Sequence, residues 1–221
     1  MVLSYTLIGA ALSPTIYPDR VILTLLAYFL GLGFSAHALN ELHARHWGEA
    51  LRRRELETLF VVPLIGAVLI GVYGMFLVYA ISGAFVASFV ILVLICLETF
   101  FLFAYNTDLA GGIFHSDISF AFSWAALPTL TSYYVNSLSI SLVAVLVALA
   151  MAATAGIEIN LSRWCKDFRR RSPLTEMRFA NNTVLGLDTA QLIANPEKAL
   201  KLIVVAVDLV AIGLTIHKLI P

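Results

Sequence analysis

The sequence predicts an all-α integral membrane protein, a bundle of about seven transmembrane helices forming a single domain over residues 1–221. Three observations carry this. The composition is 60% hydrophobic and only 13% charged, whereas a soluble domain carries about 25% charged residues. Seven apolar runs approach or exceed the roughly 20 residues that a helix needs to cross the hydrocarbon core. Finally, the cations fall almost wholly on one side of those runs.

The expected spans are Val2–Tyr17 (short, with Pro14), Val21–Leu39, Leu59–Ile81, Ala84–Tyr105, Ile118–Val135, Ser139–Asn160 and Ala199–Ile220. Continuous apolarity rather than helical periodicity defines them, as expected of lipid-facing helices. Ser82-Gly83 and Asn136-Ser137-Leu138 are minimal turns, whereas segments 40–58, 106–117 and 161–198 are longer and polar. If the short turns lie outside, every Lys and Arg except Arg20 and Lys218 lies inside or one turn into the last span. The positive-inside rule then places the N-terminus in the cytoplasm and the C-terminus outside. A formal net charge of zero conceals this asymmetry. Segment 161–198, with Pro173, Asn181-Asn182 and Pro196, reads as a cytoplasmic loop or cap. No basic stretch precedes the first apolar run, so no cleaved signal peptide is expected. Cys96 sits in an apolar run and Cys165 in a basic one, so no disulfide is expected. The arginines border spans rather than interleave with aromatics, so nucleic acid is not an expected partner.

Polar side chains gather where the spans end on the cationic side. Charged and imidazole groups are costly in hydrocarbon, and their gathering at span ends marks a candidate site. His37 lies three residues before Asn40 and four before Glu41, so all three share a helix face. An imidazole and a carboxylate at that spacing suit one metal ion, or simply bond to each other at a helix end. Glu98 falls within the fourth span and is either protonated, paired or lining a cavity. Tyr105, seven residues on, shares its face. The segment Tyr105-Asn106-Thr107-Asp108 through Gly111-Gly112 to His115 and Asp117 holds no cation and suits a cation ligand set. Asp108 also fits a turn and Asp117 an N-cap. Arg163 and Lys166, one turn apart, are either an interfacial belt with Trp164 or a clamp for phosphate or diphosphate. Pro128 is expected to kink the fifth span.

The layout resembles the UbiA superfamily of intramembrane prenyltransferases. Leu7-Ile-Gly9-Ala-Ala-Leu-Ser-Pro, followed by a span ending Ala38-Leu39-Asn40-Glu41, is similar to the approach to that family's first aspartate-rich motif. Asn40 takes the Asn place and Glu41 the first Asp place, while Ala44 and Gly48 stand at the later Asp positions. Tyr105 through Tyr134, with Trp124, resembles the family's Tyr-rich central loop and following helix, and Glu158-Ile159-Asn160 falls where the second acidic motif begins. The resemblance covers residues 5–175 and marks a divergent member with degraded motifs.

It implies a prenyltransferase-like transferase acting on a prenyl diphosphate or isoprenoid lipid with Mg²⁺. Glu41, Asn40 and Asp108 would act in catalysis, and Arg45, Tyr105, Asn106, Arg163 and Lys166 would hold substrate. A second reading is a membrane metalloprotein using His37, Glu41, Glu98, Asp108, His115 and Asp117. Imidazole ligands there favour Zn or Fe, acting on a lipid or quinone. A third is a non-enzymatic transporter, or a subunit with a membrane-complex partner or homo-oligomeric contact.

Overall fold

The computed structural model describes residues 1–44, 51–171, 175–178 and 180–220. It is built almost entirely of helices: α1 (Val2–Leu12), α2 (Pro18–Tyr28), α3 (Ala36–Ala44), α4 (Arg53–Ser82), α5 (Phe85–Asn106), α6 (Asp117–Ala121), α7 (Leu127–Ser137), α8 (Leu142–Arg171) and α9 (Thr189–Leu219). A small antiparallel hairpin, β1 (Thr175–Arg178) and β2 (Val184–Leu187), joins α8 to α9. The α2 and α3 helices run on through a π-helical turn, Phe29–Ser35, and α6 runs into α7 through another, Phe122–Ala126.

Among the described residues, five helices are long and apolar enough to cross a membrane: Pro18–His43, Arg53–Ser82, Phe85–Asn106, Leu142–Arg171 and Thr189–Leu219. Their outward faces are apolar and bare. Only 6% of the most apolar stretch of α4 is buried within the protein, and Val62, Leu69 and Phe76 stand more than half exposed along it. Side chains of this kind are stable against lipid and not against water. The chain is an integral membrane protein of the all-α class.

The helices pack as two groups. One surrounds α1, with Tyr5 and Ile8 buried against Ala125, Ala155 of α8 and Val207 and Ala211 of α9. Small residues make this possible. A Cβ placed on Gly9 would stand 2.1 Å from the carbonyl oxygen of Thr129, so α1 and α7 cross backbone against backbone. Ser4 donates a hydrogen bond to Asp208 in the same group, which gives the intramembrane carboxylate of α9 its partner. The second group is the α2–α3 rod with α4 and α5. Gly31 lies in the π-helical turn beside Ala67, and the Ser35 hydroxyl donates to the Phe60 carbonyl at 2.8 Å.

Several boundaries depart from expectation for physical reasons. The first span stops at Leu12 rather than Tyr17, because Ser13 turns out of the helix and bonds the Ala10 carbonyl, and Pro14 cannot continue it. The second extends past Leu39 to Ala44. Segment 161–198 is mainly helix: α8 continues to Arg171, and α9 begins at Thr189, capped by Asp188 and Gln191. A 30-residue helix is about 45 Å long, well beyond a hydrocarbon core of about 30 Å. The arginine-rich end of α8 is therefore a projecting helix rather than a loop. Pro128 sits at the start of α7, and the irregularity is the π-helical turn before it. Cys96 and Cys165 are both free. The short turns are as read: Gly83 closes α4 at φ 65, and Leu138 closes α7 at φ 53.

Candidate functional site

At the end of the bundle where α3 and α5 finish, Tyr105 occupies the last turn of α5 and is buried. The chain then folds tightly, with Asp108, Ala110, Gly111 and Gly112 all at positive φ. This returns His115 onto the Tyr105 ring, stacked at 4.6 Å between centroids. The His115 Nδ1 lies 2.9 Å from both an Asp108 carboxylate oxygen and the Tyr105 carbonyl. Two acceptors at one nitrogen call for a proton on Nδ1. Ser116, not Asp117, caps α6, accepting from the Ser119 amide at 3.1 Å. Asp117 instead pairs with Nη1 of Arg163 from α8, whose Nη2 donates to the Tyr105 hydroxyl at 3.3 Å. One guanidinium thus ties α5, α6 and α8 together. Ala110 is exposed and strained at φ 55. Ala110→Gly is expected to raise thermal stability by about 1 kcal/mol, read from the unfolding midpoint in detergent.

A column of rings continues across the bundle. Tyr105 meets Phe120 at 5.7 Å, Phe120 stacks on Trp124 at 5.2 Å, and Trp124 meets His37 edge to face at 5.5 Å. The exposed Lys166 is within electrostatic reach of His37. Tyr105, Asp108, His115, Asp117 and Arg163 therefore converge, and His37 and Lys166 lie along the same end. Glu41 is buried and Asn40 half-buried on α3. Asn106 is buried with its amide donating to the Leu102 carbonyl of its own helix at 2.8 Å. Arg45 lies outside the described residues. Glu98 does not join this group.

The described residues contain no group of three or more His, Cys, Asp or Glu able to hold a metal ion. Asp108 and His115 supply two donors, and Asp117 is taken by Arg163.

Glu98 belongs to a second feature, a narrow slot of about 110 Å³ inside the membrane-spanning region. Its walls are the inner faces of the α2–α3 rod from Arg20 to Leu32, α4 from Leu64 to Gly74, and α5 from Ile91 to Leu102, with Thr131 and Val135 of α7. The stretch of α4 alone gives it a length of about 15 Å. Gly31, Gly71 and Gly74 lie in its wall; a Cβ on Gly71 would stand 3.0 Å from the Ile95 side chain, whereas nothing stands within 4 Å of a Cβ placed on Gly74. The Tyr28 hydroxyl donates to Glu98 within it. At the far end the Arg20 guanidinium donates to the Val135 carbonyl at 2.8 Å and lies 4.2 Å over the Tyr17 ring.

Sequence reasoning passed over Tyr28, Arg20 and the slot. A carboxylate in a span demands a partner, but eight tyrosines offered no unique one. Arg20 read only as a stray cation. The fold and its two polar features define an all-α integral membrane protein with an intramembrane slot. No family model, no curated protein and no solved structure matches the chain.

Proposed function

We propose that the protein is a lipid-directed membrane protein that takes the single apolar chain of an isoprenoid or other long-chain lipid between α2, α4 and α5. The observation that supports this best is the slot: about 15 Å long by helix rise, apolar along most of its wall, and open at Gly74, where a Cβ would meet nothing within 4 Å. Ligand sites are concave and mainly apolar, with a few placed polar groups. The cluster of Tyr105, Asp108, His115, Asp117 and Arg163 is the polar station of the same bundle, and a prenyltransferase-like activity on a UbiA-like scaffold would use it. On that reading Arg163 and Lys166 are the cations nearest a diphosphate, and His115, stacked on the Tyr105 ring that Arg163 holds, stands beside them. The cationic ends of α4, α8 and α9 face the cytoplasm, by the positive-inside rule.

Gly74→Leu tests the reading. The new side chain enters the slot without a backbone clash. It is expected to leave the protein folded and to abolish retention of farnesol, measured by native mass spectrometry of the detergent-solubilised chain. Equal farnesol retention by wild type and Gly74→Leu contradicts it.

A further inference from the structure

We infer that the slot selects a lipid with a neutral hydroxyl head, a long-chain alcohol, and that Glu98 with Tyr28 reads that hydroxyl. This rests on the lipid-chain reading above and adds the headgroup. Glu98 is half-buried, lines the slot, and accepts one hydrogen bond, from Tyr28. The described residues give its second oxygen no partner. The single proton of Tyr28 is already committed to Glu98, so the second carboxyl oxygen of Glu98 is left to meet a ligand hydroxyl. Thr24 and Thr99 on the adjacent walls donate to carbonyls of their own helices at 2.7 and 2.8 Å, whereas the buried Thr131 hydroxyl stands beside Tyr28, so Tyr28, Glu98 and Thr131 form one polar patch in an otherwise apolar wall.

The wall also discriminates by charge. A phosphate or carboxylate would have to leave its water for an apolar wall with no cation among the described residues beside Glu98 to receive it. An ammonium must likewise leave its water, at several kcal/mol for each ion. A neutral hydroxyl meets the polar patch at the smallest desolvation cost. Arg20, the one cation on the wall, lies about 12 Å from Tyr28 along α2 and is directed at Val135 and Tyr17. A chain whose hydroxyl sits at Glu98 has that length of apolar slot before it.

Native mass spectrometry of the full chain in detergent with four C15 probes provides the test: farnesol, farnesane, farnesyl diphosphate and farnesylamine. Wild type is expected to hold farnesol about tenfold more tightly than farnesane, the value of one well-placed hydrogen bond. The double variant Tyr28→Phe/Glu98→Leu removes donor and acceptor together, so it keeps the fold. It is expected to bind farnesol and farnesane alike, and Gly74→Leu is expected to bind neither. Farnesol and farnesane binding wild type equally overturns the headgroup inference and leaves the chain reading standing. So does a preference for the diphosphate or the amine that Gly74→Leu abolishes. Failure of every probe to bind wild type overturns both.

Discussion

Gly9→Ala is expected to be the most damaging single methyl in the protein. The added Cβ would lie 2.1 Å from the Thr129 carbonyl oxygen and 2.9 Å from its carbon. Both are backbone atoms inside α7, so no rotamer change relieves the overlap. The two helices must separate, and α1 carries Tyr5 and Ile8 away from the cluster they form with Ala125, Ala155 of α8 and Val207 and Ala211 of α9. Overpacking of a core costs about 1–3 kcal/mol and more where neighbours cannot yield, so a loss of about 3 kcal/mol or greater is expected. Without a hydrophobic driving force between helices in lipid, such close backbone contact is the main source of association. Gly213→Ala is the control: nothing stands within 4 Å of its Cβ, and alanine is the better helix former by about 0.5–1 kcal/mol. Detergent or denaturant titration of both variants provides the comparison. Equal unfolding midpoints would contradict the α1–α7 crossing.

The second large effect is expected where Tyr28 meets Glu98. Removing one partner of a polar pair inside the membrane leaves the other without a hydrogen bond, at about 1–3 kcal/mol. Removing both and filling with apolar groups of similar shape is nearly neutral. Tyr28→Phe and Glu98→Leu should each destabilise the empty protein. The double variant should recover much of the loss, with a coupling of about 1.5 kcal/mol. Direct measurements in helical membrane proteins put ordinary side-chain hydrogen bonds nearer about 0.6 kcal/mol, so a carboxyl pair belongs at the upper end. Strictly additive losses would show that the two side chains do not depend on each other.

These two sites show where the sequence was informative. Apolar run length found the five long helices, since a lipid-facing helix must be apolar along its length whatever its neighbours are; the expected spans Val2–Tyr17 and Ile118–Val135 are instead a short helix and a helix interrupted by a π-helical turn. The turn chemistry of 106–117 was equally plain, because Gly111 and Gly112 announce tight backbone and both lie at positive φ. Helix ends were harder. Polarity made 161–171 resemble a loop, yet α8 simply runs on beyond the hydrocarbon. The π-helical turns at Phe29–Ser35 and Phe122–Ala126 have no proline within them to announce them.

Pairings across the bundle were the least legible. Glu98 and Tyr105 share a helix face in the sequence, but Glu98 turns into the slot and Tyr105 to His115 and Arg163. Asp117 was expected as a cap or ligand. It is bound by Arg163 while Ser116 caps the helix. A slot is created by what is missing, and residues spread over four helices do not announce that they line one cavity.

The central claim is that a lipid chain enters between α2, α4 and α5. Photolabelling tests it most directly, with a farnesol analogue carrying a diazirine along its chain, reconstituted with the protein in bilayers. After irradiation and proteolysis, label is expected to concentrate on slot residues such as Gly71, Gly74, Ile95 and Leu102, and to vanish in Gly74→Leu. Label spread evenly over the outward faces, on Val62, Phe76 and Phe89, and unchanged in Gly74→Leu, would mean that the chain only meets the protein as bulk lipid does.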